Sequence, residues 1–328
     1  MEEAGFTLIE LMIAVLIGLM IMGTATVVYL GNRGTTTAQR DLADLAQSGS
    51  LATDIVARMF RQAGHTAVGG TTGGAEGGIA ATFCKTSTVP AISPVALPTG
   101  DGGFLEGWDA KTVPGQSVVN NSDVVLLRFD GSSQRNVPGK ADGSIVDCLG
   151  TAVVGPTPGS ASERSSARLY VSVDTNTKNP ALYCAYRKSG SLIESVQPLI
   201  DNVESFQVLY GLGALYSWDG LNKLNERADR YRIVVEKYVP ASQLTSATDW
   251  NNVAAVRFGV VVAGDNASRG AVDSRADYDV LGPGYGTGNG AQFDATSLAA
   301  DRRSRPRKAI AATVELKNAP IYTGCQVI

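Results

Sequence analysis

Few residues of this 328-residue chain are of a type and spacing that could do chemistry, and the first is a carboxylate in an unlikely place. Glu10 lies inside "GFTLIELMIA", Gly5 to Ala14, at the head of an apolar run. From Leu11 to Asn32 no charged residue occurs, and those 22 positions would reach about 33 Å as a helix, enough to cross a hydrocarbon core. An ionisable group costs about 2.5–3.5 kcal/mol near the centre of such a helix, so its default role is functional and its partner should be positive and close. A plain membrane anchor would tolerate Glu10 near its end, but would not need "GFTLIE" ahead of it. A secretory signal peptide fits less well: the start, "MEEAG", is acidic at Glu2 and Glu3, and the apolar run exceeds the usual core of about 7–15 residues.

The other reactive types are sparse. Four cysteines, Cys84, Cys148, Cys184 and Cys325, all follow the apolar run, and none is at metal-ligand spacing, so disulfides are expected. Three connectivities are open. "IVDCLG" and "ALYCAYR" read as short strands flanking a hairpin-like excursion, which favours Cys148 with Cys184 and leaves Cys84 with Cys325. His65 is the single histidine; with no partner residues nearby it reads as a helix-terminal or surface residue rather than a base. "WDGLNKLNERAD" offers Asp219, Asn222, Asn225, Glu226 and Asp229 as oxygen ligands, but their spacing departs from a calcium loop, and a solvated turn is the better reading. "RRSRPRK", Arg302 to Lys308, holds five cations in seven residues; directly before a predicted strand it reads as a solvated edge or a local salt-bridging segment rather than a nucleic-acid site. No catalytic residue, metal or cofactor is expected, and with the thiols bridged the chain does not read as an enzyme.

The elements that carry these residues follow from periodicity. "AQRDLADLAQSGSLATDIVARMFRQAG" sets Leu42, Leu45, Ala52, Ile55, Val56, Met59 and Ala63 at three- and four-residue spacings, an amphipathic helix whose stripe should pack under a folded domain. Gly18, Gly23, Gly31 and Gly34 are weak points, each costing about 1 kcal/mol relative to alanine, and any local melting would have to occur at the glycines, from Gly31 to Thr37 before elsewhere. Val68 to Gly103 is rich in turn formers and reads as a connecting loop or irregular subdomain. Strands are expected in "DVVLLRF" from Asp123, "ARLYVSV" from Ala167, "SFQVLYG" from Ser205, "RYRIVVEKYV" from Arg230, "VAAVRFGVVV" from Val253 and "AIAATVEL" from Ala309, several alternating as half-buried antiparallel strands do. Asp265 to Arg307 is polar and glycine-rich and reads as an exposed excursion. The fold class is α+β, one long N-terminal helix packed on an antiparallel sheet. With 37 glycines and 18% charged residues, against a usual 25% or so, the chain is loop-rich and globular. Its net charge of -3 gives no overall attraction to nucleic acid or anionic lipid.

"GFTLIELMIA" resembles the N-terminal signature of type IV prepilins and type II secretion pseudopilins. The resemblance implies a prepilin leader of residues 1–5, cleavage by a membrane prepilin peptidase after Gly5, N-methylation of the new terminus at Phe6, and an assembly role for Glu10, paired with the Phe6 amine of its own or a neighbouring subunit. Family leaders carry Lys or Arg where this start has only Glu2 and Glu3, and major pilins carry a proline in the membrane helix, absent here. "DIVARMFRQAGH", "QPLIDNVESFQVLYG", "DWNNVAAVRFGVVV" and "RSRPRKAIAATVELKN", in that order, resemble the PilW type of minor pilin. That likeness implies a transmembrane helix half over 6–32, an amphipathic half over 33–64 and a β-rich periplasmic pilin domain over 65–328. It also implies a low-abundance subunit that joins other minor pilins, the major pilin and in some systems a large tip adhesin in a priming complex, held in the inner membrane before assembly and at the extracellular pilus tip afterwards. The alternatives are a J-type minor pseudopilin of type II secretion and a membrane-anchored periplasmic adhesin or binding module. Mass spectrometry of the chain from cells with active prepilin peptidase is expected to find methylated Phe6 as the first residue; an intact Met1 terminus would remove the main support for the processing assignment.

Overall fold

The computed structural model describes residues 7–65, 103–109, 118–134, 137–156, 164–191, 193–217, 231–265, 277–285 and 292–318. It opens with α1 (Leu8–Gln62), a single helix of 55 residues. The helix is unbroken from Gly31 to Thr37, the stretch where any local melting would have to occur. The Thr36 hydroxyl there is absorbed by the helix itself, donating to the Asn32 carbonyl at 2.9 Å, as Thr24 and Thr26 donate to carbonyls one turn back. The expected Val68 to Gly103 loop lies outside the described residues apart from Gly103.

Two antiparallel sheets receive the far end of α1. The first contains β1 (Leu105–Trp108), β2 (Val124–Phe129), β5 (Ser165–Val173), β6 (Pro180–Arg187) and β7 (Glu194–Asp201), in that spatial order, with β3 (Ser133–Gln134) and β4 (Val137–Ala141) forming a separate small hairpin. The second has the order β13-β10-β8-β9, built from β8 (Val203–Ser217), β9 (Tyr231–Val239), β10 (Val253–Ala263) and β13 (Arg307–Glu315). The six expected strands correspond to β2, β5, β8, β9, β10 and β13, and "ALYCAYR" lies in β6. One core joins Leu45, Ala52, Val56, Met59 and Phe60 of α1 to the inner faces of both sheets, with Phe60 and Phe258 rings 5.6 Å apart. Of the expected stripe, Leu42 is exposed, and Gly49 and Phe60 are buried instead. The helix reaches the sheet only from Leu45 onward, and a side chain at Gly49 would overlap Ile310 on β13.

Central strands do not show half-buried alternation. β2 is buried at every position and β10 at all but Arg257, because both faces are covered. On the second sheet the cover is part of the segment expected to be an exposed excursion. β11 (Asp277–Asp279) and β12 (Gln292–Asp294) pair there, and Tyr278, Val280, Phe293 and Leu298 form a small apolar cluster on Val261. Arg257 ties the cover down by donating to the Leu281 carbonyl at 2.9 Å and lying 4.2 Å over the Tyr285 ring. The approach is closest at Gly259, where a Cβ would run into the Val280 carbonyl. Because that neighbour is backbone, Gly259→Ala is expected to lower stability by about 1–3 kcal/mol. Denaturant unfolding reads the loss, and amide exchange should accelerate at Val280 and Leu281; an unchanged midpoint would show that the cover adjusts freely.

Candidate functional site

The candidate site is α1 itself, taken from both ends. Gly5 and Phe6 lie outside the described residues. Glu10 is exposed and sits at the third position of the helix, where it closes a capping box: the Thr7 hydroxyl accepts from the Glu10 amide at 3.4 Å, and the Glu10 carboxylate accepts from the Thr7 amide at 3.5 Å. The sequence signal for this is "TLIE", the spacing of a Ser/Thr cap followed three residues on by Glu. The negative charge also stands where the helix dipole is positive. Every residue of the box lies C-terminal to the expected cut, so the box does not depend on the leader.

From Leu8 to Arg33 the helix is apolar, long enough to cross a bilayer, and wholly uncovered by the folded domain. Its large apolar side chains, from Leu8 to Leu30, are each more than half exposed. A continuous surface of that kind is far larger than the apolar patches of a few hundred Å² found on monomers and needs lipid or protein around it.

The other end is fastened by polar groups. The Gln62 amide behaves as a strand fragment, donating to the Val146 carbonyl at 3.0 Å and accepting from the Val146 amide at 2.9 Å. His65 Nδ1 lies 2.9 Å from the Asp130 carbonyl, an acceptor only, so that nitrogen carries the proton and the ring is a structural donor. Asn318, just past β13, donates to the Arg61 and Ala63 carbonyls at 3.2 and 3.3 Å, occupying acceptors that the helix end leaves open. Gln62 and Asn318 gave no signal in the sequence, because their partners are 84 and about 255 positions away.

Cys148 and Cys184 form a disulfide, Cα to Cα 6.4 Å, across 36 residues of chain. Both are buried. "IVDCLG" is not a strand as expected but a turn: Asp147 accepts from the Leu149 and Thr151 amides at 2.9 and 2.8 Å, and one bridge joins Val146 to Ala152. The segment between the cysteines contains β5, which pairs with β6, so the bridge pins a turn onto a central strand rather than closing a hairpin. Cys84 and Cys325 lie outside the described residues, as do Asp219, Asn222, Asn225, Glu226 and Asp229.

The basic run is not a solvated edge at its centre. Arg307 and Glu204 form an ion pair at 2.6 Å, each 1% exposed. All five guanidinium N–H groups are used, two on Glu204 and the rest on the carbonyls of Arg302, Arg303 and Arg305. Arg303 donates to the Leu298 carbonyl and Arg302 to Asn179. The run therefore folds around its own arginine, and its salt bridge reaches an acid 103 residues away rather than a local one. Among the described residues no group of three or more His, Cys, Asp or Glu is placed to hold a metal. The displaced titrations have structural causes: hydrogen bonds from Ser132 and Ser144 bring Asp142 down to about 2, while burial, and then donation to Asp174, pushes the Tyr183 phenol up to about 12. Both shifts run away from neutrality.

Residues 1–26 match the prokaryotic N-terminal methylation motif, and residues 168–318 match the family described as Type IV Pilus-assembly protein W. The chain is thus similar to that family over its C-terminal strands and to the methylation motif at its start. The PilW match begins inside β5 and runs through β13, so it takes in "QPLIDNVESFQVLYG", "DWNNVAAVRFGVVV" and "RSRPRKAIAATVELKN", while "DIVARMFRQAGH" on α1 falls outside it. Among solved structures, a type IV-like pilin from Thermus thermophilus aligns with 62% of this chain and 82% of its own at 16% identity, with a TM-score of 0.30. At that score the superposition adds nothing to the α+β assignment, which rests on the helix and sheets themselves. No curated protein matches the chain. Non-reducing peptide mapping is expected to recover Cys148 joined to Cys184, and replacing both with alanine should lower unfolding free energy by about 2–5 kcal/mol. A stability unchanged by that double replacement would mean that Gln62 and the Asp147 turn hold the segment unaided.

Proposed function

We propose that the chain is a minor pilin, a structural subunit that helps prime type IV pilus assembly in a tip complex with other minor pilins. The observation that carries this reading is one helix that pairs a methylation motif and an uncovered membrane-length apolar segment with a far end sunk in a PilW-type β domain. In this reading residues 1–5 are the leader, 6–32 the membrane half and 33–64 the amphipathic half of the helix, and 65–328 the periplasmic domain. Prepilin peptidase cuts after Gly5, Phe6 is methylated, and the subunit leaves the inner membrane for the pilus tip, meeting the major pilin and in some systems a large tip adhesin. Cys84 pairs with Cys325, tying the far C-terminus back to the segment just after the helix. The role is architectural, with no catalytic residue.

Glu10 has two roles in this reading that a single substitution confounds. Its carboxylate caps the helix locally, and in an assembly it pairs with a Phe6 amine in a low-dielectric setting. Gln also closes a capping box, so Glu10→Gln removes the charge and keeps the cap, whereas Glu10→Ala removes both. Losing one partner of a buried ion pair costs about 3–5 kcal/mol, a hundredfold or more in association. Both variants are expected to insert, to be cut at Gly5, and to co-purify poorly with the other minor pilins, leaving cells with few surface pili. Normal piliation and partner recovery in Glu10→Gln, with a defect only in Glu10→Ala, would reduce Glu10 to a helix cap.

A further inference from the structure

The apolar helix carries a marker of its own depth at the end from which the folded domain projects. No charged or amide side chain occurs from Leu11 to Gly31, and at 1.5 Å per residue Leu11 to Leu30 is about 30 Å long, the thickness of a hydrocarbon core. The capping pair Thr7 and Glu10 stands at one end of that stretch. At the other, Arg33 lies above Tyr29 with its guanidinium carbon 5.7 Å from the ring centroid. Helical side chains lean toward the helix N-terminus, so from a position about 4.5 Å beyond Leu30 this guanidinium reaches back toward the bilayer. Tyr29 is 59% exposed, and Arg33 is exposed too.

We propose that Tyr29 and Arg33 together form a contact for the headgroup of an anionic phospholipid on the surface facing the folded domain. The inference rests on the membrane-spanning reading above. Tyr29 sits at the boundary where its ring is apolar-side and its hydroxyl wet, as aromatic belts do, and the Arg33 fork takes phosphate oxygens. The whole chain bears a net charge of -3, so this lipid preference is local to one turn of helix. Arg40 shares the face, seven residues and about 10 Å farther out, but stands beyond the headgroups with Asp44 one turn above it. Leu11 to Leu30 then spans with little mismatch, and the helix holds Leu45, the first core residue, about 22 Å from Leu30.

The test uses the full chain in vesicles of neutral phosphatidylcholine containing a minority of phosphatidylglycerol, with bromine placed on one lipid or the other. Tyr29→Trp supplies the reporter at the site, and the wild-type chain, with three tryptophans that all follow the helix, supplies the background. At low salt, brominated phosphatidylglycerol is expected to quench Trp fluorescence of this variant as though enriched about fivefold over an equal share of brominated phosphatidylcholine, the effect of one cation near an anionic surface. Adding Arg33→Gln should bring that ratio to about one, while Arg40→Gln leaves most of it. Equal quenching by the two lipids, or a ratio that survives Arg33→Gln, overturns the headgroup contact and leaves the spanning helix standing. No quenching by either lipid overturns the spanning reading and the contact with it.

Discussion

One helix must satisfy two environments, and most of the rest of the molecule follows from that. Over Leu8 to Arg33 it offers an apolar surface on every side, which only lipid or other apolar helices can cover. From Leu45 onward it presents a single stripe and buries it against two sheets. Between them the helix runs on through Gly34 and three threonines, residues of low helix propensity. Whatever moves or holds the apolar half is transmitted to the domain through this one element, so the junction has to be firm.

The firmness at the junction is polar as much as apolar. Hydrophobic burial fixes that α1 lies on β13 and β10, but is indifferent to small slides along them. Directional bonds remove that freedom. Gln62 reads the Val146 backbone as a strand would, Asn318 closes the carbonyls at the helix end, and the Gly64 amide donates to the Arg128 carbonyl at 2.9 Å at the end of β2. The Cys148–Cys184 bridge holds the turn that Gln62 grips. Each bond joins segments far apart in the chain, so each also records that the sheets have closed around the helix.

The buried Arg307–Glu204 pair does similar service at the opposite side of the second sheet. A buried ion pair is a poor source of net stability because desolvation offsets the attraction. Its value here is geometric: five satisfied N–H groups draw residues 302–307 into one turn at the start of β13 and anchor the cover that closes the outer face. Sequence composition read this run as a solvated edge or a local salt-bridging segment, because a cation run is ordinarily solvated or paired nearby. The acid that overrules the expectation is 103 residues away, and nothing local announces it.

By itself the sequence determined the helix, its apolar half, its far-end stripe, six of the main strands and the α+β class, because those depend on periodicity and composition over short windows. It also held the Thr7–Glu10 box in plain view. It could not give the edge strands β1 and β7 or the hairpin of β11 and β12, nor the burial of every position of β2 and of all of β10 but Arg257, which depends on the segments that come to cover both faces. Nor could it separate Leu42 from Leu45, one turn apart on the same helix, because burial there depends on where the sheet begins. Tertiary structure decided those questions, along with the fates of Gln62, Asn318 and Arg307, for one physical reason: each turns on which distant backbone or charge arrives beside it, and that is settled only when the chain has packed.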